Sequence, residues 1–152
     1  MSDRSPIDRL TAEQLLVAAR DAATRAYAPY SSFAVGAALL TEDGSVITGC
    51  NVENISYGLT CCAERTAVFT AAAAGHRSII AIAVTAPRLA AVTPCGACRQ
   101  VLNEFRPQDG DLIVILDSLA GPEQVPLADL LPRAFDPIEG TGNGVQGTAN
   151  RF

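Results

Sequence analysis

The chain has 152 residues, 49% of them hydrophobic, so it can bury a core as one domain and is too apolar for a disordered segment. Its net charge of -5 argues against nucleic acid as a partner, because phosphate binding needs a basic surface. No apolar run approaches the roughly 20 residues that cross a bilayer, and the N-terminus lacks a signal-peptide pattern. We therefore expect a cytoplasmic protein with no membrane partner.

The first third of the chain predicts a helix followed by a β-hairpin. Thr11 and Gln14 have the form of a capping box, and apolar residues then recur at helical spacing, which predicts a helix over 11–27. The segment 33–40 is apolar on both faces, as expected of a buried strand. Turn-forming residues follow it, so the segment 46–50 is predicted to return antiparallel.

The rest of the chain predicts alternating helices and strands. They are a helix over 62–74, a strand over 79–85, a helix over 95–105, a strand over 112–116 and a short helix over 127–131. Because helices of crossover length link the later strands, these strands are expected to run parallel in an α/β sheet with helices on both faces. We expect a single domain over residues 1–136 and a flexible, Gly- and Asn-rich tail over 137–152.

Three cysteines mark a candidate metal site. Cys95 and Cys98 have a C-x-x-C spacing, which alone is also compatible with a redox pair or half of a structural zinc site. A third cysteine, Cys62, opens the preceding helix. Cys61 should point elsewhere, and His76 lies roughly 20 Å along that helix. Three protein ligands and an open fourth position are typical of catalytic zinc.

Glu64 follows the first candidate ligand by two residues. A carboxylate beside metal-bound water can accept its proton, pass it to a ring nitrogen of a substrate and later protonate a departing amine. The alternative is a solvated glutamate in a first helical turn, where the helix dipole favours acids. Arg65 and Arg99, each beside a cysteine, are candidates for N–H···S contacts that offset the thiolate charge, although either can be a solvated helix residue.

Two further places in the chain suggest contacts to a substrate. In the segment 51–54, strand alternation places Asn51 and Glu53 on one side, where they could bind a vicinal diol such as a ribose. The alternative is a polar loop. Phe33, at the start of a predicted strand, is either a core residue or an aromatic ring that stacks on a base.

Four blocks of sequence, in order, resemble the small, homotetrameric, zinc-dependent type of cytidine deaminase. They are Tyr30 to Leu39, Gly49 to Asn54, Cys62 to Ala67 and Pro94 to Val101, within a match over about residues 11–135. The cysteine and glutamate spacing also matches the general zinc-deaminase signature. The resemblance implies a three-layer α/β/α fold with a mixed five-stranded sheet.

The resemblance also implies a role for each candidate site residue. It implies one Zn²⁺ per chain at Cys62, Cys95 and Cys98, with Glu64 as the proton shuttle and Arg65 supporting a cysteine ligand. The implied substrate contacts are Phe33 to the pyrimidine, Asn51 and Glu53 to the ribose hydroxyls, the Ala63 backbone to the base edge, and Tyr57 and Phe135 reaching the sites of neighbouring subunits.

The implied reaction is hydrolytic deamination of the nucleosides cytidine and 2'-deoxycytidine to uridine and 2'-deoxyuridine, with release of ammonia, in pyrimidine salvage. Zinc hydroxide attacks C4 while Glu64 moves the protons. A deaminase of another aminated pyrimidine such as blasticidin shares the zinc and Glu64 but does not need the ribose contacts. A nucleic-acid deaminase is disfavoured by the acidic charge, and a structural zinc module by the lack of a fourth ligand.

Overall fold

The structure, a computed structural model, describes residues 6–135, so the predicted tail over 137–152 lies outside the described part. The helices and strands are α1 (Arg9–Ala23), β1 (Gly36–Thr41), β2 (Val46–Cys50), α2 (Ala63–Ala73), β3 (Ile79–Thr85), α3 (Gly96–Glu104), β4 (Ile113–Ser118), β5 (Gly121–Pro126) and α4 (Leu127–Leu130). A single 3₁₀ turn, Tyr57–Leu59, precedes α2.

The five strands form one mixed sheet in the order β2-β1-β3-β4-β5. Strand β1 pairs antiparallel with both β2 and β3, while β3 and β4 are parallel and β5 returns antiparallel to β4. The predicted hairpin and the predicted parallel pairing after a helical crossover are therefore both confirmed. Because β2 and β3 run in the same direction, both end at the same edge of the sheet.

Strand alternation divides the core into two layers, one on each face of the sheet. Helix α1 covers one face, where its apolar stripe packs on Ala38, Ala81, Ala83, Ile113 and Ile115. Helices α2 and α3 and the start of α4 cover the other face, packing on Ala37, Leu39, Ile82, Val84, Val114 and Leu116. The predicted three-layer α/β/α architecture is confirmed. None of the helices within residues 6–135 has the length and apolar character needed to cross a bilayer.

The predicted limits of the first helix are wrong at both ends. The N-cap of α1 is Asp8, whose Oδ1 accepts a hydrogen bond from the Thr11 N–H at 2.9 Å, so the helix starts before the expected capping box. The helix ends at Ala23 rather than near Tyr27. The Tyr27 N–H donates to the Asn51 carbonyl at 3.0 Å, and its carbonyl accepts from the Glu53 N–H at 2.8 Å. These long-range bonds replace helical ones.

Two strand boundaries also differ from the prediction. Strand β1 begins at Gly36, so Phe33 lies in an irregular segment before it rather than in the strand. Strand β5 has no counterpart in the chain-order prediction, since its sequence holds Pro122, Pro126 and polar residues. Proline is tolerated there because β5 is an edge strand, where one side of the backbone needs no ladder partner.

Gly49 sets the distance between β2 and α2, and hence where α2 begins. A Cβ atom at this position would lie 2.4 Å from the Ala67 nitrogen and 2.6 Å from the Ala63 carbonyl oxygen, both backbone atoms of α2. Real Cβ atoms do not approach backbone so closely, so only glycine allows this packing. The start of α2 carries Cys62 and Glu64, so the close contact also positions the candidate site.

Gly49→Ala is expected to lower the free energy of unfolding by about 3 kcal/mol, the upper range for overpacking, because two backbones must separate. Gly58→Ala is the matched control, since a Cβ atom there meets nothing within 4 Å. Urea denaturation of the two variants and the wild type measures the difference. Equal stability of the two variants would contradict the steric role of Gly49.

Candidate metal centre and adjoining cavity

Three cysteine sulfurs converge where α2 and α3 begin. Cys62 and Cys95 are the N-cap residues of the two helices, and Cys98 lies in the first turns of α3. The three sulfur atoms lie within 4.8 Å of one another, and those of Cys62 and Cys95 are 3.8 Å apart. Cys98 is buried, Cys62 half-buried and Cys95 exposed, so the cluster is closed on one side and open on the other.

This arrangement fits a tetrahedral zinc ion. Zn–S bonds of about 2.3 Å at the tetrahedral angle place two ligand sulfurs about 3.8 Å apart, the separation found between Cys62 and Cys95. Within residues 6–135, no other group of three or more candidate ligand residues is this close together. Cys62 and Cys95 also line a cavity, so a fourth position would face open space. The donor set is that of a catalytic rather than a closed structural zinc site.

The starts of both helices provide positive potential for the sulfurs. Neither Cys62 nor Cys95 uses its side chain in a capping hydrogen bond. The first N–H groups of a helix have no intrahelical acceptor, and the helix dipole favours negative charge there. Thiolates at these two positions are therefore stabilised by the backbone itself.

Arg65 contacts the cluster directly, as the sequence suggested. Its Nη2 lies 3.3 Å from the Cys62 sulfur and 3.3 Å from the Thr60 carbonyl oxygen, and it donates to both. The Cys98 thiol and then the Arg65 guanidinium lower the pKa of Cys62 to about 5. The neighbouring Cys62, burial and the Glu64 carboxylate raise the pKa of Cys98. A cation bound by the three sulfurs would reduce the repulsion between the Cys98 thiolate and the negative charges of Cys62 and Glu64.

Arg99, by contrast, donates hydrogen bonds mainly to backbone carbonyl oxygens rather than to a cysteine sulfur. It donates from Nε to the Pro94 carbonyl and from Nη1 to the Leu130 carbonyl, both at 2.7 Å, and from Nη2 to the Thr93 hydroxyl at 3.2 Å. Arg99 therefore fixes the loop that leads into Cys95 and connects it to α4. Its suggested N–H···S contact is absent among the hydrogen bonds of the described residues.

Glu64 lies in the first turn of α2, beside the sulfur cluster. Its side chain is only 4% exposed, and its Oε2 accepts a weak hydrogen bond from the Cys98 thiol at 3.8 Å. Burial raises the pKa of Glu64 to about 6. Glu64 also lines the cavity in front of the cluster. The alternative of a solvated surface glutamate is therefore wrong.

A cavity of about 440 Å³ adjoins the open side of the cluster. Its walls come from the segment before β1, the segment after β2, the start of α2, the end of β3 and the loop before α3. Its lining residues are Ser31, Phe33, Val35, Asn51, Glu53, Thr60, Cys62, Ala63, Glu64, Val84, Val92, Thr93 and Cys95. Six of these residues are outside the expected site. Ser31 and Val35 lie within the block Tyr30 to Leu39 of the resemblance, whereas the other four are uncharged loop or strand residues without a sequence motif.

Two of the expected substrate-binding residues lie outside this cavity. Tyr57 lines a neighbouring cavity of about 210 Å³, where its ring packs edge-on against Tyr30 with centroids 5.7 Å apart. Phe135 is 77% exposed, and its carbonyl accepts from the Gln100 side chain at 3.2 Å. Within the single chain, the structure therefore brings neither aromatic ring into the main cavity.

Asn51 and Glu53 both line the cavity and also hold the segment opposite them. Asn51 accepts from the Val35 N–H at 2.9 Å and donates to the Phe33 carbonyl at 2.8 Å. Glu53 accepts from the N–H groups of Tyr30 and Ser31 and from the Ser31 hydroxyl. The Ser31 hydroxyl, followed by these backbone N–H groups, lowers the pKa of Glu53, which keeps it ionised.

Comparison with known proteins places this geometry in a family. Residues 10–114 match the family model described as the cytidine and deoxycytidylate deaminase zinc-binding region. The cytidine deaminase of Halalkalibacterium halodurans is 52% identical over 124 residues, which cover 81% of this chain and 92% of that protein. The Mycobacterium tuberculosis cytidine deaminase is 48% identical over 117 residues, covering 77% of this chain and 84% of that protein.

The same relationship holds at the level of structure. The crystal structure of cytidine deaminase from Burkholderia pseudomallei superposes with a TM-score of 0.74 at 51% sequence identity, covering 80% of this chain and 97% of that one. The family expected from the four sequence blocks is thereby confirmed. With its fold, its three-cysteine cluster and this extent of similarity, the chain belongs to the cytidine and deoxycytidylate deaminase zinc-binding family.

Proposed function

We propose that this protein is a zinc-dependent hydrolase that converts cytidine and 2'-deoxycytidine to uridine and 2'-deoxyuridine, with release of ammonia, in pyrimidine salvage. The observation that carries the proposal is the buried Glu64 carboxylate beside a three-sulfur cluster that opens onto a cavity of about 440 Å³. A cavity of this size suits a nucleoside. Relatives that share about half of their residues with this chain are named cytidine deaminases.

Cys62, Cys95 and Cys98 hold one zinc ion per chain in this proposal. Bound zinc supplies a Lewis acid that lowers the pKa of a water molecule at the open position. The helix N-termini and Arg65 offset the charge of the three thiolates, so the site can carry further negative charge as the water loses its proton.

Glu64 carries the protons of the reaction. It takes one from the attacking water, gives it to N3 of the pyrimidine as oxygen bonds to C4, and then transfers the second water proton to the departing amine. The water oxygen thereby becomes the uridine carbonyl oxygen, one water proton remains on N3, and the other leaves with ammonia. Burial raises the pKa of Glu64 to about 6, which suits a group that must both accept and release a proton near neutral pH.

The other cavity residues hold the nucleoside. Phe33 stacks on the pyrimidine ring, and the backbone of Ala63, at the start of α2, contacts the base edge. Asn51 and Glu53 bind the ribose hydroxyls. Their internal hydrogen bonds leave capacity for this, since each oxygen of an amide or carboxylate has two lone pairs and the Asn51 amide has a second N–H.

We further propose a cytoplasmic homotetramer in which Tyr57 and Phe135 complete the sites of neighbouring subunits. Both aromatic side chains are largely exposed within the chain, at 74% and 77%, although aromatic rings are usually buried. Residues 1–136 form the single domain that carries the activity.

Glu64→Gln is expected to lower kcat by about 10² to 10⁴ while zinc stays bound, because the amide cannot accept and release the proton. Turnover is measured as the loss of cytidine absorbance, and zinc by elemental analysis. Glu123→Gln is the matched control, an exposed carboxylate on the edge strand β5. Near-normal turnover by Glu64→Gln would disprove its assigned role.

Zinc is expected at about one ion per chain, and its removal by a chelator should abolish turnover until zinc is restored. Cys95→Ala should lose the ion, because three thiolates bind zinc far more tightly than two. Cys50→Ala is the control, since the Cys50 sulfur contacts the Arg25 carbonyl and lies outside the cluster. Full zinc occupancy in Cys95→Ala would contradict the ligand assignment.

If each active site contains residues from two subunits, two inactivating substitutions in different subunits should complement each other in a mixed tetramer. Glu64→Gln disables a subunit's own site, whereas Tyr57→Ala would impair the site of its neighbour. Coexpression of the two variants should therefore give mixed tetramers with more activity per chain than either variant alone. Sedimentation gives the assembly mass. A particle of a single chain mass with full activity would exclude the shared site.

A further inference from the structure

Ser31 lies at the rim of the cavity, in the irregular segment between α1 and β1, and has no role in the steps described above. We infer that Ser31 is a positioning residue whose hydroxyl connects the Glu53 carboxylate to the backbone of Phe33. The sugar-binding and ring-binding sides of the cavity are then held in one geometry. This inference rests on the proposed function and adds a residue to it.

The Ser31 hydroxyl uses both its donor and its acceptor capacity in this connection. It donates to Oε2 of Glu53 at 2.5 Å and accepts from the Phe33 N–H at 3.0 Å. The Ser31 N–H also donates to the other carboxylate oxygen, Oε1, at 3.1 Å. Ser31 therefore supplies two of the three donors that orient Glu53, the third being the Tyr30 N–H.

Phe33 needs such a connection because no strand pairing holds it. Strand β1 starts only at Gly36, and Ser32 has a positive φ of 56°, a conformation that is unfavourable for residues other than glycine. The Phe33 backbone is held at two points, its N–H by Ser31 and its carbonyl by Asn51. Loss of the Ser31 hydroxyl removes one of these two.

A different role for Ser31 is a direct hydrogen bond to the substrate, since Ser31 lines the cavity. The two roles predict different combined effects of substitutions at Ser31 and Glu53. If Ser31 acts through Glu53, its removal should have little further effect once the Glu53 carboxylate is gone. If Ser31 binds substrate itself, the two losses should add. A double-mutant cycle distinguishes these cases.

The experiment measures kcat and KM for cytidine with the zinc-loaded protein. Ser31→Ala is expected to raise KM about tenfold and to change kcat less than twofold, since a hydrogen bond to a charged group that aligns the substrate is lost. Ser31→Thr keeps a hydroxyl and should restore most of the affinity. In kcat/KM, Ser31→Ala should cost much less in a Glu53→Ala background than in the wild type, the remaining loss being that of the bond to the Phe33 N–H.

Ser32→Ala is the matched control, because the Ser32 hydroxyl makes no hydrogen bond to any residue in the described range 6–135. Ser31→Cys preserves the side-chain volume but donates only weakly, so it should raise KM as Ser31→Ala does and serves if the alanine variant fails to fold. If the wild type is active but KM is unchanged in both Ser31→Ala and Ser31→Cys, the inference is overturned. Additive losses at Ser31 and Glu53 in the double-mutant cycle would overturn it as well. An inactive wild type would overturn the proposed function and this inference together.

Discussion

The convergence of three cysteine sulfurs on two helix N-termini is the constraint on which the rest of the site depends. It arises from strand direction: β2 and β3 both run antiparallel to β1, so they end at the same edge of the sheet. The helix that follows each strand then starts at that edge and packs on the same face. Residues more than thirty positions apart in sequence, Cys62 and Cys95, thereby reach a separation of 3.8 Å between sulfurs. Open α/β sheets characteristically form their sites at such strand ends.

The centre combines several features that are locally unfavourable for folding. Two helices start at cysteine rather than at a side chain that caps, the carboxylate of Glu64 is buried beside the sulfurs, and Nε of Arg65 is buried without a partner among the described residues. Close packing elsewhere keeps the geometry, above all the backbone contact at Gly49. Departures from local rules that the surrounding structure must maintain are expected at functional sites.

The cysteine and glutamate positions could be predicted from sequence because metal chemistry restricts ligand types and spacing, and because helix starts are marked locally. The missed start of α1 is local, since its cap is Asp8, but the other failures depend on long-range contacts. Helix α1 ends earlier than predicted because the Tyr27 backbone pairs with the segment 51–53. The hydrophobic periodicity of the sequence does not indicate this pairing. Strand β5 forms because the backbone of β4 has hydrogen-bonding groups for it to pair with, although its two prolines locally disfavour a strand.

The two walls of the cavity are held by different kinds of interaction. On the metal side, Glu64 and Cys62 belong to the start of a helix packed on the sheet, so their positions follow from the core. On the opposite side, the segment 30–35 has no strand partner, and side-chain hydrogen bonds from Asn51 and Glu53 hold it. Such bonds contribute about 1 to 3 kcal/mol each. The wall with Cys62 and Glu64 is thus held by the packed core, whereas the wall formed by the segment 30–35 is held mainly by a few polar contacts. The sequence reading assigned Asn51 and Glu53 to the ligand because their shared side was visible in the strand pattern, while their bonds to the facing segment are tertiary and could not be.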